Sequence, residues 1–187
     1  MARFGDVSLY PKRNKILGES WSPCIAFSIA LKPFKYIDYH RINLNDKDIY
    51  DSDTYIGIDS NIVTSYLQFD YDTYFKLDND TSRWNFFVGS ICESLIYLWN
   101  NRNWNAQDLI YSRDSLLNKE NEMTKNLLVK REKSYTLKLW VNYTFRENIY
   151  YLDIKSVSKK INKRIFINKG RTGFVQWFLL FNKLLGA

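Results

Sequence analysis

The residues best suited to chemistry lie in the last third of the chain. Lys159, Lys160, Lys163, Arg164, Lys169 and Arg171 crowd the stretch 159–171, where Gly170 and Gly173 frame an Arg-Thr pair. Upstream, 135–146 alternates. Tyr135, Leu137, Leu139, Val141, Tyr143 and Phe145 take one side, and Thr136, Lys138, Trp140, Asn142, Thr144 and Arg146 take the other. In a strand that alternation buries the first set and turns the second outward. An outward tryptophan among cations is what unpaired bases require, because every base offers a π-face to stack on and the flanking charges hold the phosphates. Tyr151, Asp153 and Lys155 share a face of the next segment and extend the platform. Glycines at 170 and 173 let backbone N–H groups approach an anion, next to the positive end of a following helix. The nucleic-acid-binding set is therefore Lys138, Trp140, Arg146, Tyr151, Lys155, Lys159, Lys160, Lys163, Arg164, Lys169 and Arg171.

Other chemistries find little support. Asp46, Asp48, Asp51 and Asp53 lack the glycine and twelfth-position glutamate of a calcium loop and read as a solvated acidic loop. His40, the one histidine, has no nucleophile or acid beside it. There is no phosphate-binding Walker loop and no serine in a nucleophile elbow. Cys24 and Cys92 have no ligand-spaced partner and read as reduced core residues. The expectation is no catalysis, no metal and no cofactor.

Charge is lopsided. The chain carries +7 overall, yet residues 1–100 hold 10 Lys/Arg against 13 Asp/Glu, while 101–187 hold 17 against 7. Such asymmetry between halves points to a polyanion-facing surface. At 187 residues the chain is long enough for a hydrophobic core without metals or disulfides. The N-terminus lacks secretory-signal features, and the longest apolar stretch, 174–185, is interrupted by Gln176, Asn182 and Lys183, so a soluble intracellular protein is expected.

The elements that must position these residues read as two similar units in one domain, 1–101 and 102–187. In the first, strands are expected over 24–31, 36–44, 55–58 and 62–77. A helix capped by Thr81 or Ser82 then carries Trp84, Phe87, Val88, Ile91, Leu95 and Leu98 at helical spacing to about Asn100. In the second, a connector over 104–121 with Leu109, Leu116 and Leu117 precedes strands over 126–133, 135–146, 149–157 and 163–168. A closing helix over 172–185 places Phe174, Trp177, Phe178, Phe181 and Leu185 on one face. Residues 74–81 and 165–172 align at a constant offset, Phe75 with Phe166 and Thr81 with Thr172, while the charges between them invert. The fold class is α+β, with antiparallel sheets packed around helices and a pseudo-twofold relation between the units.

Tyr151-Leu-Asp-Ile-Lys155, a basic link, Gly170-Arg-Thr-Gly173 and an aromatic helix together resemble the C-terminal module of the positive-cofactor-four family of single-stranded-DNA-binding transcription coactivators. The doubled layout is similar to the Whirly proteins. The resemblance, carried mainly by 149–186, implies largely sequence-independent binding of single-stranded DNA, or RNA, across curved antiparallel sheets, usually in a homo-oligomer acting in replication, recombination or transcription. The first unit departs from it, lacking a Gly-Arg turn and carrying Asp70, Asp72, Asp78 and Asp80. The alternative is a structural or assembly protein, for example of a phage, binding protein partners through surfaces rich in the 17% aromatic residues.

Overall fold

A computed structural model describes residues 4–46, 57–59, 61–119, 123–145, 147–156 and 158–170. The closing helix over 172–185, Arg146, Arg171 and Asp48, Asp51 and Asp53 lie outside the described residues. The chain is mixed α and β and divides into two compact units, 1–120 and 121–187.

The first unit opens with β1 (Asp6–Tyr10), α1 (Asn14–Leu31) and β2 (Arg41–Asp46), followed by β3 (Gly57–Asp59) and β4 (Ile62–Leu67). α2 (Tyr71–Phe75), α3 (Asp80–Asn101) and α4 (Ala106–Leu116) complete it. Its sheet runs in the order β1-β2-β4-β3, with β1, β2 and β4 parallel and only β3 antiparallel. This corrects the expectation of an antiparallel sheet, and α1 is the cause. A helical crossover between β1 and β2 returns the chain to the same end of the sheet, so the two strands run the same way.

The strand expected over 24–31 is the second half of α1. Its apparent alternation of Ile25, Phe27, Ile29 and Leu31 is incidental, because Ile16, Ser20, Cys24, Phe27 and Leu31, at spacings of three and four, form a buried stripe flanked by the buried Ser22, Ala26 and Ser28, while Ile25 and Ile29 are only half-buried. Ala26 and Ala30 supply good helix formers between the larger residues. Ser28 fastens the helix to β1: its Oγ donates to the Cys24 carbonyl at 2.6 Å and accepts the Val7 N–H at 2.8 Å. Of the strand expected over 36–44 only Arg41 onward pairs, and the strand expected over 62–77 stops at Leu67. Asp70 ends that extended stretch by capping α2, accepting the Thr73 N–H at 3.0 Å.

α3 matches its expected stripe, with Trp84, Phe87, Val88, Ile91, Leu95 and Leu98 all fully buried. Its cap is Asn79, which accepts the Ser82 N–H at 2.8 Å, and not Thr81 or Ser82. The connector, grouped above with the second unit, packs as α4 against α1 and α3. Leu109 and Leu116 are buried, and the Trp84 indole donates to the Leu116 carbonyl at 2.8 Å. None of the described helices is long and apolar enough to cross a membrane.

The second unit is an antiparallel meander of β5 (Met123–Arg131), β6 (Thr136–Tyr143), β7 (Asn148–Ser156) and β8 (Ile161–Gly170), paired in sequence order. All four strands overlap the segments where strands are expected, 126–133, 135–146, 149–157 and 163–168. Leu139, Val141, Tyr143 and Tyr150 bury one face, as does Phe145 beyond β6. Both edge strands carry a bulge. Leu127 is extra in β5 between the Asn126–Trp140 and Leu128–Leu139 pairs, and Ile167 is extra in β8 between the Tyr151–Phe166 and Tyr150–Asn168 pairs.

Candidate nucleic-acid interface

The face of the meander opposite Leu139 and Val141 is built in rows, because directly paired residues of an antiparallel sheet project to the same side. Strand register sets Arg131, Thr136, Lys155 and Asn162 side by side in one row. The next holds Val129, Lys138, Asp153 and Arg164, and the third Asn126, Trp140, Tyr151 and Phe166. The fourth holds Thr124, Asn142, Ile149 and Lys169. Three neighbouring strands thus contribute one aromatic each to a single row, with cations in the rows on either side.

The exposed ring of that row is Phe166, at 56%, packed edge-on to Tyr151 with centroids 6.2 Å apart. Trp140 lies on the expected face but is half-buried, its indole Nε1 shut away from solvent without a hydrogen bond of good geometry. Tyr151 is also half-buried and carries the Arg164 guanidinium over its ring at 5.6 Å. Nearby cations draw the ring quadrupole into a contact of about 0.5–1 kcal/mol at such exposed sites.

Arg164 in turn clamps Asp153 with two bonds, Nε to Oδ1 at 2.6 Å and Nη2 to Oδ2 at 2.8 Å. That hydrogen-bonded guanidinium, assisted by the Trp140 indole, holds the Asp153 carboxyl below its usual range. Lys169 pairs with Glu147 at 3.3 Å. Two of the expected cations are therefore partly neutralised by partners that a charge count along the chain does not reveal. Pairs this exposed are worth about 0–1 kcal/mol, so a phosphate can exchange for either carboxylate at little cost. Lys155, Lys159 and Lys160 are exposed and form no ion pair among the described residues.

Lys163 is not brought to this face. It stands opposite Ile154 in register, on the side of Leu152 and Ile165. Lys169 would share that side if β8 were regular, but the extra Ile167 turns it back to the row of Ile149 and Asn142. In the β7–β8 turn Lys160 has φ 52°, a left-handed conformation that side chains other than glycine and asparagine adopt at a cost. Phe166 was missed as a site residue although it stands between Arg164 and Lys169; its face becomes evident only from its pairing with Tyr151.

Both cysteines are free and buried. Burial raises the Cys92 thiol to about 11, which leaves it protonated and unreactive at neutral pH. No three residues able to hold a metal ion come together among the described residues. No family model, curated protein or solved structure matches the chain.

Proposed function

We propose that the protein binds single-stranded nucleic acid, DNA rather than RNA, on the outer face of the β5–β8 sheet and without catalysis. The observation that carries this reading is the row of Trp140, Tyr151 and Phe166 between cation-bearing rows, with Phe166 open to stacking. Stacking on aromatic rings tolerates any base, so binding is largely independent of sequence. Lys138 and Lys155 on the sheet and Lys159 and Lys160 at its turn take phosphates, and Arg164 and Lys169 join by leaving their carboxylate partners. Duplex DNA hides its base faces in the stack and offers such a row nothing to stack on.

A Whirly-like role in replication, recombination or transcription, with pseudo-twofold units and homo-oligomeric assembly, is part of the same proposal. The meander of the second unit supports it, whereas the parallel strands of the first unit speak against an exact internal repeat. A second reading is favoured by Ile161, Ile165 and Val129, which are apolar and exposed on the edge strands and suit a protein partner.

Fluorescence anisotropy with single- and double-stranded oligonucleotides at two salt concentrations separates the readings. Preference for the single strand is expected, with a log–log salt slope of about −0.7 for each phosphate neutralised. Equal affinity for duplex, or a flat salt response, would end the single-strand reading, and absence of binding to either oligonucleotide would favour a protein partner.

A further inference from the structure

The three parallel strands of the first unit end on the same side, and the segments that follow them close around one cavity. Lys12 comes just after β1, Asp46 is the last residue of β2, and Gln68 to Tyr71 follow β4. α3 supplies another wall with Phe86, Gly89, Ser90 and Glu93, whose spacing of i, i+3, i+4 and i+7 puts them on one helical face. The cavity is a cleft open to solvent with a volume of about 700 Å³, within the ~300–1,000 Å³ usual for small-molecule sites. Open sheets of parallel strands hold their ligands at this place, beyond the carboxyl ends of the strands.

Gly89 keeps the cavity open. A Cβ built there would meet nothing within 4 Å. Glycine inside a helix costs about 1 kcal/mol relative to alanine, and here it removes a side chain from the lining. The opposite side is fixed by Asp46, only 5% exposed, which accepts hydrogen bonds from the Tyr71 hydroxyl and, at 3.4 Å, from the Lys12 backbone N–H. Burial and the adjoining carboxylate both raise the Tyr71 phenol, which keeps it a neutral donor.

The lining selects its ligand by charge and shape. Among the described lining residues, Asp46, Asp70 and Glu93 stand against one cation, Lys12, whose ammonium lies 5.4 Å from the centre of the Tyr71 ring, although the Asp70 carboxylate also accepts the Thr73 N–H and hydroxyl. Phe69 packs on Tyr71 and Phe86 with centroids 5.0 and 5.1 Å apart, giving an aromatic wall beside the carboxylates. We infer that this cavity binds a small organic cation, a primary amine on a flat or slender apolar body, with the ammonium toward Glu93 and Asp46 and the body against Phe69 and Phe86.

Isothermal titration calorimetry of the full chain tests this with tyramine, putrescine and 3-(4-hydroxyphenyl)propionate, which keeps the tyramine body but carries a carboxylate. Saturable heat is expected with tyramine or putrescine and none with the propionate. Gly89→Leu, which fills the cavity, should abolish binding while preserving circular dichroism and melting temperature. Glu93→Gln, an exposed change on α3 that leaves the fold alone, should weaken binding about 5-fold. Absence of saturable heat with both amines, equal binding of the propionate, or full binding by folded Gly89→Leu would overturn the assignment. If Gly89→Leu does not fold, the Glu93→Gln comparison decides alone, with unchanged affinity counting against the site.

Discussion

Phe166 and Trp140 sit in the same row but should fail differently when truncated. Phe166 is exposed, so Phe166→Ala should weaken oligonucleotide binding by about 5- to 150-fold, the loss of ~1–3 kcal/mol of stacking, with almost no change in melting temperature. Trp140 is half-buried, so Trp140→Ala should lower the melting temperature as well as the affinity. Unchanged affinity in folded Phe166→Ala would remove the stacking surface. Asp153 gives a pH signature. Its carboxyl is held low by Arg164 in the folded state, so the pair adds stability above the ordinary carboxylate range and loses it as the pH falls through the lower folded value. Denaturant midpoints measured from neutral pH down to about pH 3 should fall less steeply in Arg164→Gln than in the parent; identical slopes would show that the pair does not influence the carboxyl. At this level the alternation of β6 made the face of Trp140 legible. Its partial burial was not, because that depends on which neighbours register brings alongside.

Lys160 is the costly residue of the β7–β8 turn. Glycine takes its φ of 52° without steric penalty, so Lys160→Gly should raise stability by ~0.4–1 kcal/mol in urea unfolding while lowering affinity for single strands. Lower stability in the variant would mean that the lysine side chain supports the turn. Elements with a single dominant period were legible: α3 with its buried stripe, and β6 and β7 of the meander. α1 was not, because short residues between its larger ones imitate a two-residue repeat and Pro23 sits mid-helix. β1 also went unread, since Val7 and Leu9 become a strand only through parallel pairing with Ile42 and Leu44. The cavity beyond these strands was invisible for the same reason. It is assembled from residues distant in sequence, and Asp46 looked like one more member of an acidic loop.

Charge along the whole chain suggests that binding belongs to the second unit. Reversing Lys155, Lys159 and Lys160 to glutamate should nearly abolish oligonucleotide binding. The matched reversal of Lys12, Arg13 and Lys15 should do little, since Lys12 and Arg13 are stacked on Tyr71 and Arg13 also on Phe75. Anisotropy on both folded variants checks this, and greater damage from the N-terminal set would place binding on the other unit. Lys163→Glu should matter less than any of the three reversals taken alone, because register puts Lys163 on the opposite face of the sheet.

The paired bulges bear on how the molecule behaves in crowded solution. β8 is ten residues long and lies at one edge of its sheet with Ile161, Ile165 and Phe166 apolar and exposed, a profile that invites strand addition and fibril growth. Ile167 in β8 and Leu127 in β5 break the regular ladder at both edges, so neither offers a straight template to another chain. Deleting Ile167 would straighten that edge and move Lys169 to the other face. The shortened protein should form thioflavin-positive aggregates at concentrations where the parent stays monodisperse by light scattering. If the deletion variant remains equally dispersed, the bulge guards nothing, and aiming Lys169 is its whole effect.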